Sequence, residues 1–520
     1  MKKPKMAAGN PGKVAGGGRW LWTAGLIVMV GAGIYLRAVE YAANRSLWLD
    51  EAALAQNVLH LPLGELAAGR LGDNQVAPPG FLLATRGVAA IGGGSEQALR
   101  LIPFVAGVGL LGIFGWWAGR RLGALGGFAA TALLALSWPL VYYSNEFKQY
   151  SLDALIAFSL WASVGKILDG DFSARRAAAT GAAGVAALWF SQPAIFSLAA
   201  LGVMGLAGAV KANRSRAAWR WMAVGAAWAG FFALLLWLSY DTALGNTALY
   251  AYHDELFLRL WPAGVFRDVA RVGGWENWKL ATADASAWFW LGLVFVGAWA
   301  AWRNAGSRRE TIFLGLGIFF TALASALRFY PLSARLLLFL LPGLFWWAGR
   351  GVDAVTSAAQ GRKLGLPVAL ALLIGLWPLA RAAVAEARAP SAREQLRPVV
   401  EELGRRARPG EAVLVFDLTR YAFDYYWARV AHAEVTVREV RFERDEPATA
   451  AEVAVKLAPL FKERPARVWL VTTHDDLSAA PENLRAVAAA LRAVYSSAEF
   501  FGPANATAQG VVFFPAGEKN

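Results

Sequence analysis

Residues 20–39 read WLWTAGLIVMVGAGIYLRAV, and residues 46–52, close behind, read SLWLDEA. The first stretch is an apolar run of the length that crosses a bilayer as a helix. The second places two adjacent carboxylates, Asp50 and Glu51, just beyond that crossing. Apolar runs of the same kind recur to residue 380 and lack the alternating ten-residue pattern of an outer-membrane barrel. Of 520 residues, 57% are hydrophobic and 17% charged, against about a quarter charged in a soluble domain. This composition excludes a soluble enzyme and a disordered chain. The fold class expected is a polytopic α-helical membrane protein.

Eleven spans are expected, at 20–39, 98–119, 123–141, 151–168, 177–193, 195–210, 217–239, 285–302, 311–327, 336–349 and 365–380. The fifth and sixth are divided at Ser191-Gln192-Pro193, where proline ends one helix and starts the next. Basic residues precede the first span at Lys2, Lys3, Lys5, Lys13 and Arg19. They recur at Arg120/Arg121, Lys166/Arg175/Arg176, Lys211/Arg214/Arg216/Arg220, Arg303/Arg308/Arg309 and Arg350/Arg362/Lys363. All fall on one side if there are eleven spans, so the N-terminus is expected in the cytoplasm and the C-terminus outside. The first span is longer than a signal-peptide core, and no small-x-small cleavage site closes it, so it reads as an anchor. An Ala-, Gly- and Arg-rich chain of this kind fits a GC-rich prokaryotic genome, hence a bacterial cytoplasmic (inner) membrane.

The segments divide into a cytoplasmic tail (1–19), a membrane domain (20–390) with long outer loops at 40–97 and 240–284, and a water-soluble domain (391–520). Within the first outer loop, Glu51–Leu61 and Phe81–Ile91 read as short helices, too short to span. The stiff stretch Asp73-Asn74-Gln75-Val76-Ala77-Pro78-Pro79-Gly80 separates them. In the tail, β-rich runs at Ala412–Asp417, Val435–Val440, Val468–Thr473 and Gly510–Phe514 alternate with helical ones, the pattern of a mostly parallel α/β sheet. No phosphate-binding glycine loop opens any of these helices. The tail, as an extracytoplasmic α/β domain, is therefore expected to be accessory. His474-Asp475-Asp476, after the third strand, reads as a cap for the next helix.

The formal net charge is +14, and residues 391–520 hold 17 Lys/Arg and 18 Asp/Glu. The excess lies in the short loops of the membrane domain, where topology rules place it, and no nucleic-acid partner is read from it. The chain has no cysteine, which excludes disulfides, thiolate metal sites and thiol nucleophiles.

Three patches could carry chemistry. Asp50-Glu51 suits a general base, because neighbouring like charges favour protonation of one of the pair. It also suits the cap of the helix that follows. The loop Tyr142-Tyr143-Ser144-Asn145-Glu146-Phe147-Lys148-Gln149-Tyr150-Ser151 sets a carboxylate and a cation among aromatics. Lys148 reads either as an interfacial anchor or as a contact to a lipid phosphate. In Arg328-Phe329-Tyr330-Pro331-Leu332-Ser333-Ala334-Arg335, two arginines break the positive-inside pattern. Arg335 opens an apolar span, so it needs an anionic headgroup, an acidic partner or a route to the interface. Glu146, Tyr150 and Tyr330 complete the set as substrate-binding candidates.

Taken in order, Trp-Leu-Asp-Glu after the first span, Pro-Pro-Gly before a short apolar helix and the Ser-Asn-Glu-Phe-Lys-Gln-Tyr-Ser loop resemble the GT-C superfamily of membrane glycosyltransferases. The closest likeness is to its family 39, the protein-mannosyltransferase-like and rhizobial lipopolysaccharide sugar transferases. Ala98-Leu99-Arg100-Leu101-Ile102-Pro103, Gly119-Arg120-Arg121-Leu122-Gly123 and Tyr330-Pro331 with Arg335 add to the resemblance, which covers residues 20–380. It implies a GT-C transmembrane catalytic domain that moves a sugar from a polyprenyl-phosphate donor, at the outer face and with inversion, to a glycan, lipid or protein acceptor. It also implies that Asp50 activates the acceptor, that Glu51 helps position it, and that Lys148 and Arg335 hold the donor phosphate. The chain has Pro-Pro-Gly-Phe where the family often has Pro-Pro-Leu-Tyr, and Asn145 where glutamine is frequent.

A lipid phosphate leaves with charge stabilisation rather than protonation, so cations near it suffice and no cofactor is required. Nothing in the spacing of Asp50, Glu51, His253, Asp254 and Glu255 calls for a divalent metal. The alternatives are a transporter or flippase of lipid-linked sugars and a noncatalytic cell-envelope assembly protein. Transporters commonly show internal repeats and midplane binding groups; here no repeat is visible, and the polar groups lie at the outer edge.

Overall fold

The computed structural model describes residues 16–259, 275–360, 365–390, 393–442, 447–473, 480–502 and 508–515. His474-Asp475-Asp476, Arg362, Lys363 and the N-terminal lysines lie outside them. In chain order the helices begin with α1 (Gly16–Ala43), α2 (Leu49–His60), α3 (Leu63–Ala68), α4 (Pro79–Ile91), α5 (Glu96–Arg121), α6 (Ala124–Leu136) and α7 (Trp138–Tyr142). They continue with α8 (Tyr150–Leu168), α9 (Ala174–Phe190), α10 (Ala194–Lys211), α11 (Ser215–Leu238), α12 (Thr247–Tyr252), α13 (Trp275–Thr282), α14 (Ala287–Arg303), α15 (Arg308–Ala326), α16 (Leu341–Gln360) and α17 (Gly365–Arg388). The C-terminal part adds α18 (Leu396–Arg406), α19 (Arg420–Trp427), α20 (Ala450–Glu463), α21 (Ala480–Val494) and five strands.

Nine helices among the described residues are long and apolar enough to cross a membrane, and the pair α6–α7 makes a tenth if counted as one bent span. The chain is a multi-pass membrane protein. Two features separate this count from the eleven spans expected. The 123–141 run is not straight: it bends by 58° between Leu136 and Trp138, because Pro139 lacks the N–H that would continue the helix. The 177–193 run is the 17-residue α9, which opens with Ala174-Arg175-Arg176 and is not among the crossing helices. The division at Ser191-Gln192-Pro193 is seen, with α9 ending at Phe190 and α10 starting at Ala194.

The bend is held by a buried arginine. Arg37 of α1 is fully buried and donates to Gly33 O at 2.9 Å, Leu134 O at 3.2 Å and Ala135 O at 3.3 Å. Leu134 and Ala135 end α6, where carbonyls have no partner in their own helix. In an apolar medium such groups need an internal partner, and the guanidinium supplies one. Elsewhere helices pack through small residues, as membrane helices do. At the crossing of α14 and α16, a Cβ on Gly297 would lie 1.7 Å from Trp347 O, and one on Gly351 2.1 Å from Leu293 O.

The contacts divide the chain into two compact units. One is Met1–Ala43 with Pro62–Pro390; the other is Asn44–Leu61 with Ser391–Asn520. Residues 44–61, assigned from the sequence to the membrane domain's outer loop, therefore pack with the C-terminal part.

Within the membrane unit the basic loops gather at one end. Arg309 pairs with Asp169, Arg214 with Asp171 at 3.3 Å and Arg121 with Glu310 at 3.5 Å, while Arg220 donates to Phe172 O at 2.8 Å. A second group of loops is knitted together separately. Asn246 donates to Asn74 Oδ1 at 2.9 Å, Arg70 to Leu238 O at 3.0 Å and Leu332 N to Leu256 O at 2.8 Å.

In the C-terminal unit the sheet order is β2-β1-β3-β5-β4, with β1 (Ala412–Phe416), β2 (Thr436–Val440), β3 (Val468–Thr472), β4 (Ser497–Phe501) and β5 (Gln509–Phe514). β1 runs parallel to β2, with Val413 opposite Val437, and parallel to β3, with Val413 opposite Trp469. β5 is antiparallel to both β3 and β4. β1 and β3 are buried throughout, as expected of central strands covered on both faces. The strand β4 was not expected from the sequence.

Candidate functional site

In the membrane unit the candidates lie on the loop between α7 and α8 and on what packs against it. Residues 143–145 form a 3-10 turn and α8 starts at Tyr150, so Glu146, Phe147, Lys148 and Gln149 are tightly turned and all buried. Glu146 is 0% and Lys148 5% exposed. Lys148 Nζ donates to Gln75 Oε1 at 2.5 Å. Gln75 follows Asp73 and Asn74, which both adopt left-handed conformations (φ 59° and 55°), a conformation that Asn and Asp tolerate. Gln75 Nε2 is spent on Asp73 O at 3.2 Å, which leaves the amide oxygen for the lysine.

The Pro-Pro-Gly motif sits beside this contact. Pro79 opens α4, where its missing N–H costs nothing. Phe81, two residues on, tilts against Phe147 with ring centroids 5.9 Å apart. Gly80 is where the chain departs from the Pro-Pro-Leu-Tyr of the family its sequence resembles. A Cβ there would lie 2.2 Å from Trp189 Cδ1 and 2.7 Å from Trp189 O, so the indole of α9 occupies the space a larger residue needs. Asn145 donates to Val141 O and to Ser144 Oγ, both at 3.1 Å, and so braces the turn.

The membrane unit also brings together Tyr150, Tyr330 and Asp153, a carboxylate that the sequence reading passed over. Desolvation, with the neighbouring Asp153 carboxyl and Tyr150, holds the Tyr330 phenol well above the usual tyrosine pKa; it donates to Leu336 O at 2.8 Å. Asp153 is 5% exposed and the Ser191 hydroxyl 0%. Ser191 lies beside the Asp153 carboxyl, yet neither Asp153 Oδ1, Ser191 Oγ nor Gln149 Oε1 closes a hydrogen bond of normal geometry among the described residues. Gln149 and Asp153 are four residues apart and so share a helix face. The signal that could have found Asp153 is a carboxylate one turn inside an apolar span, which is a functional candidate by default.

Arg335 is half-buried in a 3-10 turn, Ala334–Leu340, ahead of α16. Arg328 pairs with Asp254. Among the described residues, no group of three or more His, Cys, Asp or Glu side chains stands where it could hold a metal ion.

Asp50 and Glu51 belong to the other unit. They are the second and third residues of α2, whose N-cap position is Trp48 with no side-chain cap bond. Asp50 is therefore not the cap residue, although the first turn of a helix favours a carboxylate. It is half-buried, and Glu51 fully buried.

No family model and no curated protein matches the chain. Solved structures do share its fold. ArnT from Cupriavidus metallidurans in the apo state is 13% identical, with a TM-score of 0.53 over 96% of this chain and 98% of that one. The same protein bound to undecaprenyl phosphate is 15% identical, with a TM-score of 0.51 over 97% and 99%. An Archaeoglobus fulgidus oligosaccharyltransferase, in complex with Zn and sulfate, is 13% identical, with a TM-score of 0.52 over 92% of this chain and 72% of that one. The chain thus has the GT-C fold. The likeness to family 39 is approximate, since these neighbours are ArnT and an oligosaccharyltransferase.

Proposed function

We propose that this chain is an inverting glycosyltransferase that takes a sugar from a polyprenyl-phosphate donor. The observation that carries this reading is the match over nearly the whole length of both chains to a membrane protein solved with undecaprenyl phosphate bound. The ordered motifs around Asp50, Pro78–Gly80 and Lys148 agree with it.

In this reading the acceptor hydroxyl oxygen attacks the anomeric carbon from the face opposite the phosphate. A new C–O bond forms as the anomeric carbon–phosphate oxygen bond breaks, and the polyprenyl phosphate leaves with that electron pair. The hydroxyl proton passes to Asp50, acting as general base, with Glu51 helping to position the acceptor. Lys148 and Arg335 offset the charge on the leaving phosphate. Glu146, Tyr150, Tyr330 and Asp153 bind the sugar, with Asp153 and Gln149 accepting from its hydroxyls. The alternative of a lipid-linked sugar transporter has no comparable support in the fold.

The orientation belongs to the same proposal: N-terminus in the cytoplasm, residues 391–520 outside, in a bacterial inner membrane. The one-ended clustering of Arg121, Asp169, Arg214, Arg220 and Arg309 supports it. The acceptor is a glycan, a lipid or a protein. The test of donor class is reconstitution of the purified protein in vesicles with a panel of polyprenyl-phosphate sugars and, in parallel, nucleotide sugars. Mass spectrometry should show loss of a lipid-linked donor and none of any nucleotide sugar; consumption of a nucleotide sugar alone would overturn the reading.

A further inference from the structure

The helix that carries Asp50 begins without a side-chain cap of its own, since Trp48 at the N-cap position makes no side-chain cap hydrogen bond. A helix start leaves backbone N–H groups that must find partners elsewhere. Here partners come from residues 345 and 379 positions away in the sequence. Glu394, 3% exposed, accepts from Leu49 N, the first residue of the helix, at 3.3 Å. A carboxylate at that end also meets the positive pole of the helix dipole. Tyr426 Oη accepts from Leu47 N at 2.7 Å.

The neighbours of Glu394 read the same segment. The Arg393 guanidinium covers the Trp48 ring at 4.2 Å from its centroid. Ser46 Oγ donates to Gln395 Oε1 at 3.0 Å and accepts from Arg397 N at 3.2 Å, while the Arg397 side chain donates to Asn44 O. Beyond the first turn, Ala52, Ala53, Leu54, Ala55 and Val58 are buried, and Gln56 Nε2 reaches Tyr421 O at 3.5 Å. Every backbone position from 44 to 49 that these bonds touch is fixed by the run 393–397 or by Tyr426.

We infer that the C-terminal α/β unit is the positioning device for the Asp50 helix, with Glu394 and Tyr426 as positioning residues that set the start and direction of α2. A general base has to stand within hydrogen-bond reach of the proton it takes, and small misplacements are costly in rate. The domain that looks like an appendage in sequence thus supplies the external cap on which the reaction depends. The catalytic half of this inference rests on the transferase reading; the mechanical half does not.

The test uses the full-length protein in vesicles and has two readouts. Hydrogen exchange should show amides of residues 44–61 exchanging about tenfold or more faster in Glu394→Ala and in Tyr426→Phe, the loss expected for one hydrogen bond to a charged or buried group. Amides of residues 96–121 should be unchanged, which shows that both variants fold. Turnover of the lipid-linked donor that the wild type uses best should fall about tenfold in kcat with KM for the donor unmoved, because Lys148 lies in the other unit. Glu394→Gln, whose amide oxygen can accept the same N–H, should recover most of that loss. Unchanged exchange in 44–61 would overturn the inference, as would kcat and KM moving together in proportion to lost fold. Faster exchange in a protein whose wild type transfers no sugar from any lipid donor would instead overturn the transferase reading and leave the clamp standing.

Discussion

At the scale of single residues, Lys148 shows how much side-chain environment adds to a motif. In sequence it is a cation in a short loop, read as an interfacial anchor or as a phosphate ligand. In the fold it is buried beside Glu146 and donates to Gln75, which a snorkelling anchor would not do. Lys148→Ala should weaken binding of bare undecaprenyl phosphate about tenfold, one charge-assisted contact's worth. Isothermal titration in detergent checks this, and unchanged affinity would return Lys148 to a packing role. Asp50, Glu51, Lys148 and Glu146 stood out as candidates in the sequence because each carries a charge close to an apolar run. Asp153 carried a signal, a carboxylate inside an apolar span, but only the fold reveals that Ser191 and Tyr330 stand beside it. Gly80 was visible as a departure, but its reason, Trp189, comes from a different helix.

At the scale of elements, apolar length located the helices and missed their direction. The run 123–141 is apolar throughout, and a count of apolar residues carries no angle; the 58° bend needs Pro139 to break the ladder and Arg37 to bind the freed carbonyls. Arg37→Met should therefore lower the melting temperature, with about 1–3 kcal/mol lost for each carbonyl left unpaired. A scan of the purified variant that matches wild type would show that the bend does not depend on it. The strand β4 escaped notice because Ser497-Ala498-Glu499-Phe500-Phe501 places a charge mid-run; at the sheet edge Glu499 faces Arg406 at 3.0 Å. The loop pair Asp254–Arg328 allows a pH prediction. Its hydrogen bond and charge hold the Asp254 carboxyl below its usual pKa. The pair's contribution is then complete above the ordinary carboxylate value of about 3.9 and lost as pH falls through the lower folded-state value. Limited proteolysis of the 240–259 segment should be constant from pH 5 to 8 and rise only in stronger acid. A rise near neutrality would contradict this.

At the scale of the whole molecule, composition and basic-loop spacing identified a multi-pass membrane protein with an α/β tail, but chain order misassigned residues 44–61. They adjoin α1 in sequence and join the C-terminal unit in space, because their partners at 393–397 and Tyr426 are hundreds of residues away and leave no local pattern. The orientation proposed here predicts signal from a reporter active only outside the membrane when fused after residue 385, and from a cytoplasmic reporter fused after residue 212; the reverse would place the candidate base on the wrong side. The central claim is that Asp50 takes the acceptor proton while a lipid-linked sugar is transferred. It is tested most directly by comparing wild type and Asp50→Asn in the same vesicles, with donor consumption followed by mass spectrometry and donor binding measured alongside. The substitution keeps size and hydrogen bonding and removes basicity. The account predicts unchanged donor binding and turnover reduced at least about a hundredfold; an Asp50→Asn protein that transfers sugar at the wild-type rate would contradict it.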